Sequence, residues 1–161
     1  MKTIKVFLIL LFCCVSTAGL LAQTTAQRNF QNSILSFLRD DMRLSPFINN
    51  NGSIEFKDSN DETHWVNIVS EQAPFFVMLT RAGYTLTGDR GLKRAESILA
   101  ANAVNAALKA VKLYCSDTSV SFRIEQYFQT DNDFKYVFSR NLTILEQAEE
   151  RFLEEYNKLV R

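Results

Sequence analysis

The stretch Leu92–Phe128, LKRAESILAANAVNAALKAVKLYCSDTSVSFRIEQYF, changes its hydrophobic period part-way, and that change decides the fold. Leu92 to Leu108 contains no Gly or Pro, and Ala95, Ala100, Ala101, Ala103, Ala106 and Ala107 are strong helix formers. Leu92, Ala95, Leu99, Ala103 and Ala106 recur at spacings of three and four, which predicts them as the buried face of a helix. From Val111 the period becomes two. Val111, Leu113 and Cys115 alternate with Lys112, Tyr114 and Ser116; Val120, Phe122, Ile124, Gln126 and Phe128 alternate with Ser121, Arg123, Glu125, Tyr127 and Gln129. Such alternation predicts two strands with one buried face each. Ser116-Asp117-Thr118-Ser119 supplies side chains that hydrogen-bond nearby backbone, so the strands form a hairpin.

Working outward, Phe30, Ile34, Phe37, Leu38 and Met42 predict a first amphipathic helix over 27–42, ended by Ser45-Pro46. Asn49-Asn50-Asn51-Gly52 reads as a tight turn before a strand in which Ile54 and Phe56 alternate with Glu55 and Lys57. Asp58 to Glu62 is a polar turn and His64 to Val69 a second strand. Phe75 to Arg81, apolar on both faces, reads as a third strand buried on both sides, with a short helix as the alternative. Ala82 to Gly91 reads as a loop, and Thr130 to Asp133 as a turn. A last helix carries Phe138, Leu142, Leu145, Ala148, Phe152, Tyr156 and Leu159 on one face, with glutamates on the solvent side. The expectation is a two-layer α+β domain of order α-β-β-β-α-β-β-α, with helices on a five-stranded, mostly antiparallel sheet. Its predicted core includes Phe37, Phe56, Val77, Leu99, Leu113, Phe122, Ile124, Phe138, Leu145 and Phe152.

The first residues have a different character. Lys2 and Lys5 precede the apolar run Val6 to Val15, and small residues follow up to Ala22. That is the pattern of a secretory signal peptide over 1–22, with cleavage after Ala22 or, alternatively, Ala18, leaving a single domain over 23–161. The run is short for a bilayer span, which takes about 20 residues, and an uncleaved anchor is the competing reading. Phe12 precedes Cys13 and both Cys13 and Cys14 lie inside the run, which is the wrong setting for a lipidated cysteine. The expected location is therefore periplasmic or secreted, without stable membrane insertion after cleavage.

Charge and cysteine content narrow the function. The chain carries 18 basic and 18 acidic residues; without Lys2 and Lys5 the balance is 16 to 18, or −2. A near-neutral domain is not a general nucleic-acid binder. Cys115 is the one cysteine of 23–161, so no internal disulfide is expected, and its place beside Val111 and Leu113 reads as a small hydrophobe. His64 is the single histidine, which excludes a multi-histidine metal centre. The acids of Asp58 to Glu62 lack the glycine and distant glutamate of an EF-hand loop. No nucleophile elbow is present, so no catalytic residue, metal or cofactor is expected.

Two groups of residues are candidate binding sites. Arg90, Lys93 and Arg94 stand at the start of the central helix, where free backbone N–H groups attract anions; the plainer reading is a solvated helix start. Tyr114, Arg123, Glu125 and Tyr127 lie on the hairpin face opposite Leu113, Phe122 and Ile124, and tyrosine and arginine favour interfaces; the plainer reading is an ordinary solvated sheet face with cross-strand pairing, such as Arg123 against a neighbouring acid.

The element order, with three strands before and two after a central helix, resembles the secretion-chaperone-like fold. Asn102-Ala103-Val104-Asn105 through Ala110-Val111-Lys112-Leu113-Tyr114, then Val120 to Phe128 and the closing helix after Phe134, resembles its YbjN-like branch over residues 53–159. The resemblance implies a non-enzymatic protein-binding or chaperone-like module, a homodimer that takes a protein or peptide partner. The signal peptide sets this chain apart from typical cytoplasmic members. The competing class is a small-molecule- or lipid-binding envelope protein, or a small hydrolase, with a cavity lined by Phe75, Phe76 and Met78.

Overall fold

The computed structural model describes residues 23–88 and 91–161. Its elements are α1 (Thr25–Ser36), continued by a π-helical turn (Phe37–Asp41), then β1 (Phe47–Ile48), β2 (Ile54–Lys57), β3 (Thr63–Ile68) and β4 (Phe75–Thr85). α2 (Arg94–Ala107), β5 (Lys112–Cys115), β6 (Ser119–Phe128) and α3 (Asp131–Val160) follow. The class is α+β, as expected. The sheet, however, has six strands in the order β1-β2-β3-β4-β6-β5, and every pairing is antiparallel. The additional strand is β1, two residues beyond Pro46 that pair with Ile54 and Glu55. Two residues are too few to show a period in sequence.

Turn chemistry sets the register. Asn49 Oδ1 accepts from the N–H groups of Asn51 and Ser53, both at 3.1 Å, while Gly52 takes φ +78°, open to glycine at no steric cost. Asp58 Oδ1 does the same for Asn60 and Glu62 at 2.8 and 3.0 Å. In the β5–β6 hairpin, Ser116 Oγ accepts from the N–H groups of Thr118 and Ser119 at 3.1 and 2.9 Å.

All three helices cover one face of the sheet. Phe30 of α1 stacks on Phe75 at 4.3 Å; Phe138, Phe152 and Phe134 of α3 meet Phe56, Phe122 and Phe128. α3 is 30 residues, about 45 Å at 1.5 Å per residue, and spans the whole layer. It starts where the sequence suggested only a turn: Thr130 caps it, and Thr130 and Asp133 form a reciprocal capping box. Among the expected core residues, Phe56, Val77, Leu113, Phe122, Ile124, Phe138, Leu145 and Phe152 are buried. Phe37 is half-buried, its ring edge-on to Phe138. Leu159, expected on the apolar face, lies exposed near the end of α3.

Leu99 is the clear error, at 56% exposed. The face of α2 that packs inward is Ser97, Ala100, Ala101 and Val104. In an alanine-rich helix two stripes look equally apolar, and contact with β5 and α3 selects the inner one. Ser97 tolerates burial because its Oγ donates to the carbonyl of Lys93 at 2.8 Å.

β4 also departs from expectation. It runs to Thr85, into the first residues of the region read as loop, and its burial alternates rather than being complete on both faces. The pairing with β6 shifts by one residue between Ala82 and Thr85. Gly83 is the residue at that bulge. A Cβ there would stand 2.5 Å from the carbonyl oxygen of Val120. The bulge turns Tyr84 towards the helices, where it stacks on Phe152 at 5.8 Å.

Candidate binding face

Strand register puts Glu55, Trp65, Thr80, Arg123 and Lys112 in one row across the sheet, on the side without helices. A neighbouring row holds Asn67, Met78 and Glu125, and beyond it Phe76 stands opposite Tyr127. Tyr114 pairs with Ser121 on the same side. The result is a broad face floored by partly exposed aromatic and polar side chains, with no layer above it among the described residues.

The contacts on this face hold its side chains in place. The Arg123 guanidinium lies 4.4 Å from the centroid of the Tyr114 ring, a cation–π contact. Tyr114 Oη donates to Glu125 Oε1 at 2.9 Å, and Arg123 Nη1 stands 3.5 Å from the same oxygen. Burial and the Glu125 carboxylate push the Tyr114 hydroxyl pKa up, so it stays a donor. Arg123 Nη1 also reaches Met78 Sδ at 3.7 Å, and its Nε is buried without a partner among the described residues. Phe76 and Tyr127 pack at 4.9 Å, while Trp65 Nε1 donates to Glu55 Oε2 at 2.9 Å.

The sequence-predicted residues therefore divide. Tyr114, Arg123 and Glu125 form one contact group, and Tyr127, 69% exposed, extends it towards Phe76. Trp65 is not among the sequence-predicted residues, and Phe76 and Met78, expected with Phe75 in a cavity, stand on this face instead. Phe75 to Leu79 shows no polar alternation, so only the register with β3 and β6 reveals which of its residues face out. Phe75 points into the core and Phe76 and Met78 point out, so these three do not line one cavity. Arg90 lies outside the described residues. Lys93 precedes α2 with its backbone N–H donated to Tyr156 Oη at 2.9 Å, and Arg94 pairs with Asp117 at the hairpin tip at 2.8 Å. Tyr156 and Asp117 thus occupy part of the expected anion site.

A second polar group sits under the helices. His64, 1% exposed, stacks on Phe56 and places Nε2 2.9 Å from Asp58 Oδ2. Burial holds its pKa below the ordinary 6.5, against the opposing pull of Asp58. Its strand partner Arg81, 4% exposed, forms an ion pair with Glu149 of α3, and Glu149 also accepts from Tyr84 Oη at 2.6 Å. Burial and that carboxylate push the Tyr84 hydroxyl pKa up. The Arg81–Glu149 and Tyr84–Glu149 contacts tie β4 to α3, while Asp58 also lines a surface pocket with Met42, Leu44, Phe47 and Phe56. Cys115 is half-buried, with Sγ 3.8 Å from the carbonyl of Ser97, and burial pushes its pKa up, which disfavours the reactive thiolate.

Among the described residues no cluster of three or more His, Cys, Asp or Glu side chains is arranged to hold a metal, and no helix is long and apolar enough to cross a membrane. No family model matches this chain, and no curated protein is detectably similar to it.

Proposed function

We propose that this chain is an exported, non-enzymatic protein-binding module, chaperone-like in the manner of the YbjN-like and secretion-chaperone-like domains it resembles, and active as a homodimer. The observation that carries the reading is the helix-free sheet face bearing Trp65, Phe76, Met78, Tyr114, Arg123 and Tyr127. Aromatic and arginine side chains fixed by their neighbours lose little freedom when a partner covers them, and that combination favours an interface. Phe75 lies on the opposite face of β4 from Phe76 and Met78, which favours the binding-module reading over the small-molecule and hydrolase one.

The test joins address and binding. Mass spectrometry of the protein from its host is expected to give a mature N-terminus at Gln23, with no lipid on any cysteine. Crosslinking in the native envelope is expected to capture a protein partner, and Tyr114→Ser with Tyr127→Ser to reduce that capture while leaving the folded spectrum intact. A start at Met1 contradicts export. A purified domain carrying a bound small molecule and no protein partner contradicts the binding module.

A further inference from the structure

β5 covers only part of β6. Its four residues pair with Val120 to Arg123, whereas β4 accompanies β6 as far as Phe128. The hairpin sets the phase of the hydrogen bonds. Ser116 N–H donates to the carbonyl of Ser119 at 2.8 Å, so alternate residues from Ser119 onwards turn their N–H and C=O towards the β5 side. Glu125 and Tyr127 continue that alternation beyond the last β5 residue. Among the described residues no hydrogen bond engages their backbone groups on that side. The outer edge of β5 is treated differently. Leu113 N–H donates to Asn105 Oδ1 at 2.8 Å, and its carbonyl accepts from Asn105 Nδ2 at 3.0 Å. One edge is closed by a side-chain amide and the adjoining one is left open.

The open edge borders a groove of about 520 Å³ whose other wall is the start of α3, with Asp133, Tyr136 and Val137. Tyr136 is 90% exposed, although α3 has an extensive apolar face in which a ring could be buried. The lining carries two carboxylates, Glu125 and Asp133, and no cation. Asp133 has no cationic partner among the described residues; Glu125 has Arg123 at 3.5 Å.

We propose that this edge receives an extended, basic segment of the partner protein as a further strand, in line with β5 and against the first turns of α3. This deepens the binding-module reading and rests on it. Two N–H and C=O pairs, about 7 Å apart along the strand, specify an extended chain rather than a helix. Tyr127, Tyr136 and Val137 offer apolar contact to alternate side chains, and the carboxylates select a lysine or arginine between them.

The probe is a short end-capped peptide of alternating valine and threonine with one central lysine. Titrated into the full mature chain, it is expected to shift the amide resonances of Glu125 and Tyr127 and to slow their hydrogen exchange. It should bind roughly tenfold more tightly at low salt than its glutamate-centred counterpart. N-methylation of its edge-facing amides should abolish binding, and Tyr136→Ala, at an exposed position, should weaken it by about tenfold without shifting Tm. Unmoved Glu125 and Tyr127 amides, or equal affinity for the lysine, glutamate and N-methylated peptides, overturns the proposal. Shifts that grow with protein concentration alone assign the edge to a second copy and also overturn it. A silent edge together with partner crosslinks at Tyr114 and Phe76 removes the strand-addition site and leaves the binding module standing; absence of any partner crosslink removes the module itself.

Discussion

Replacing Glu149 with alanine isolates the Arg81 guanidinium in the layer between sheet and helices. Arg81 is 4% exposed, and its remaining acid, Glu62, stands 3.9 Å away on a side chain 42% exposed. A half-exposed pair contributes at most about 1 kcal/mol, so Glu62 does little to compensate. A buried charge stripped of its partner costs about 3–5 kcal/mol. Tyr84 Oη loses its acceptor in the same step, which adds about 1 kcal/mol, not fully additively. The expected loss is near 4 kcal/mol, a large part of the 5–15 kcal/mol typical of a domain. With a urea slope of about 2 kcal/mol/M, the midpoint falls by roughly 2 M. Fluorescence of Trp65, the single tryptophan, follows the transition. The same reasoning makes the apolar triple Arg81→Met, Tyr84→Phe, Glu149→Leu lie within about 1 kcal/mol of the parent, because the desolvation cost leaves with the charges. A loss below about 1 kcal/mol for Glu149→Ala, or a triple as damaged as the single, refutes a buried, mutually dependent ion pair.

Phe122→Ala removes a fully buried ring that meets Phe152 edge-on, and equilibrium unfolding should show a loss of about 3–5 kcal/mol; less than 1 would mean that the β6 faces are inverted. Asn105→Ala frees the backbone groups of Leu113, so a loss of about 1–3 kcal/mol is expected, with concentration-dependent association in sedimentation through the uncapped β5 edge. Lowered pH should destabilise the fold through His64. Its folded pKa lies below the ordinary 6.5, so the unfolded chain takes up the proton first, and stability from this group is full above 6.5 and declines as pH falls below it. His64→Gln should flatten that decline between pH 7 and 5 in thermal melts; an unchanged slope assigns it to other groups.

Much of this fold is written locally. The Val111–Phe128 alternation, the Asn49–Gly52 and Asp58–Glu62 turns and the long periodic run before Leu159 each point to the element that forms, because each is fixed by its own period or its own side-chain-to-backbone bonds. What escapes is set by neighbours distant in the chain. The inward face of α2 depends on β5 and α3, since alanines surround the helix. β4 is extended past Ala82 by pairing with β6, and Gly83 gives no local sign that it is a bulge rather than a loop residue. The candidate face was legible in part for the same reason. Tyr114, Arg123, Glu125 and Tyr127 follow from the period of β5 and β6, whereas Phe76 and Met78 lie in an unbroken apolar run whose sidedness only the register can supply. The open edge at Glu125 and Tyr127 follows from strand lengths, β5 being shorter than β6, and single-strand periodicity carries no information about that.

The most direct test of the binding role places a photocrosslinking amino acid at Met78, in the middle of the helix-free face, and at Glu150, on the exposed side of α3. Irradiated in the native envelope, the Met78 position is expected to yield discrete protein adducts and the Glu150 position none. Adducts of equal yield at both positions, or adducts at Glu150 alone, would contradict the assignment of the open sheet face as the surface a partner covers.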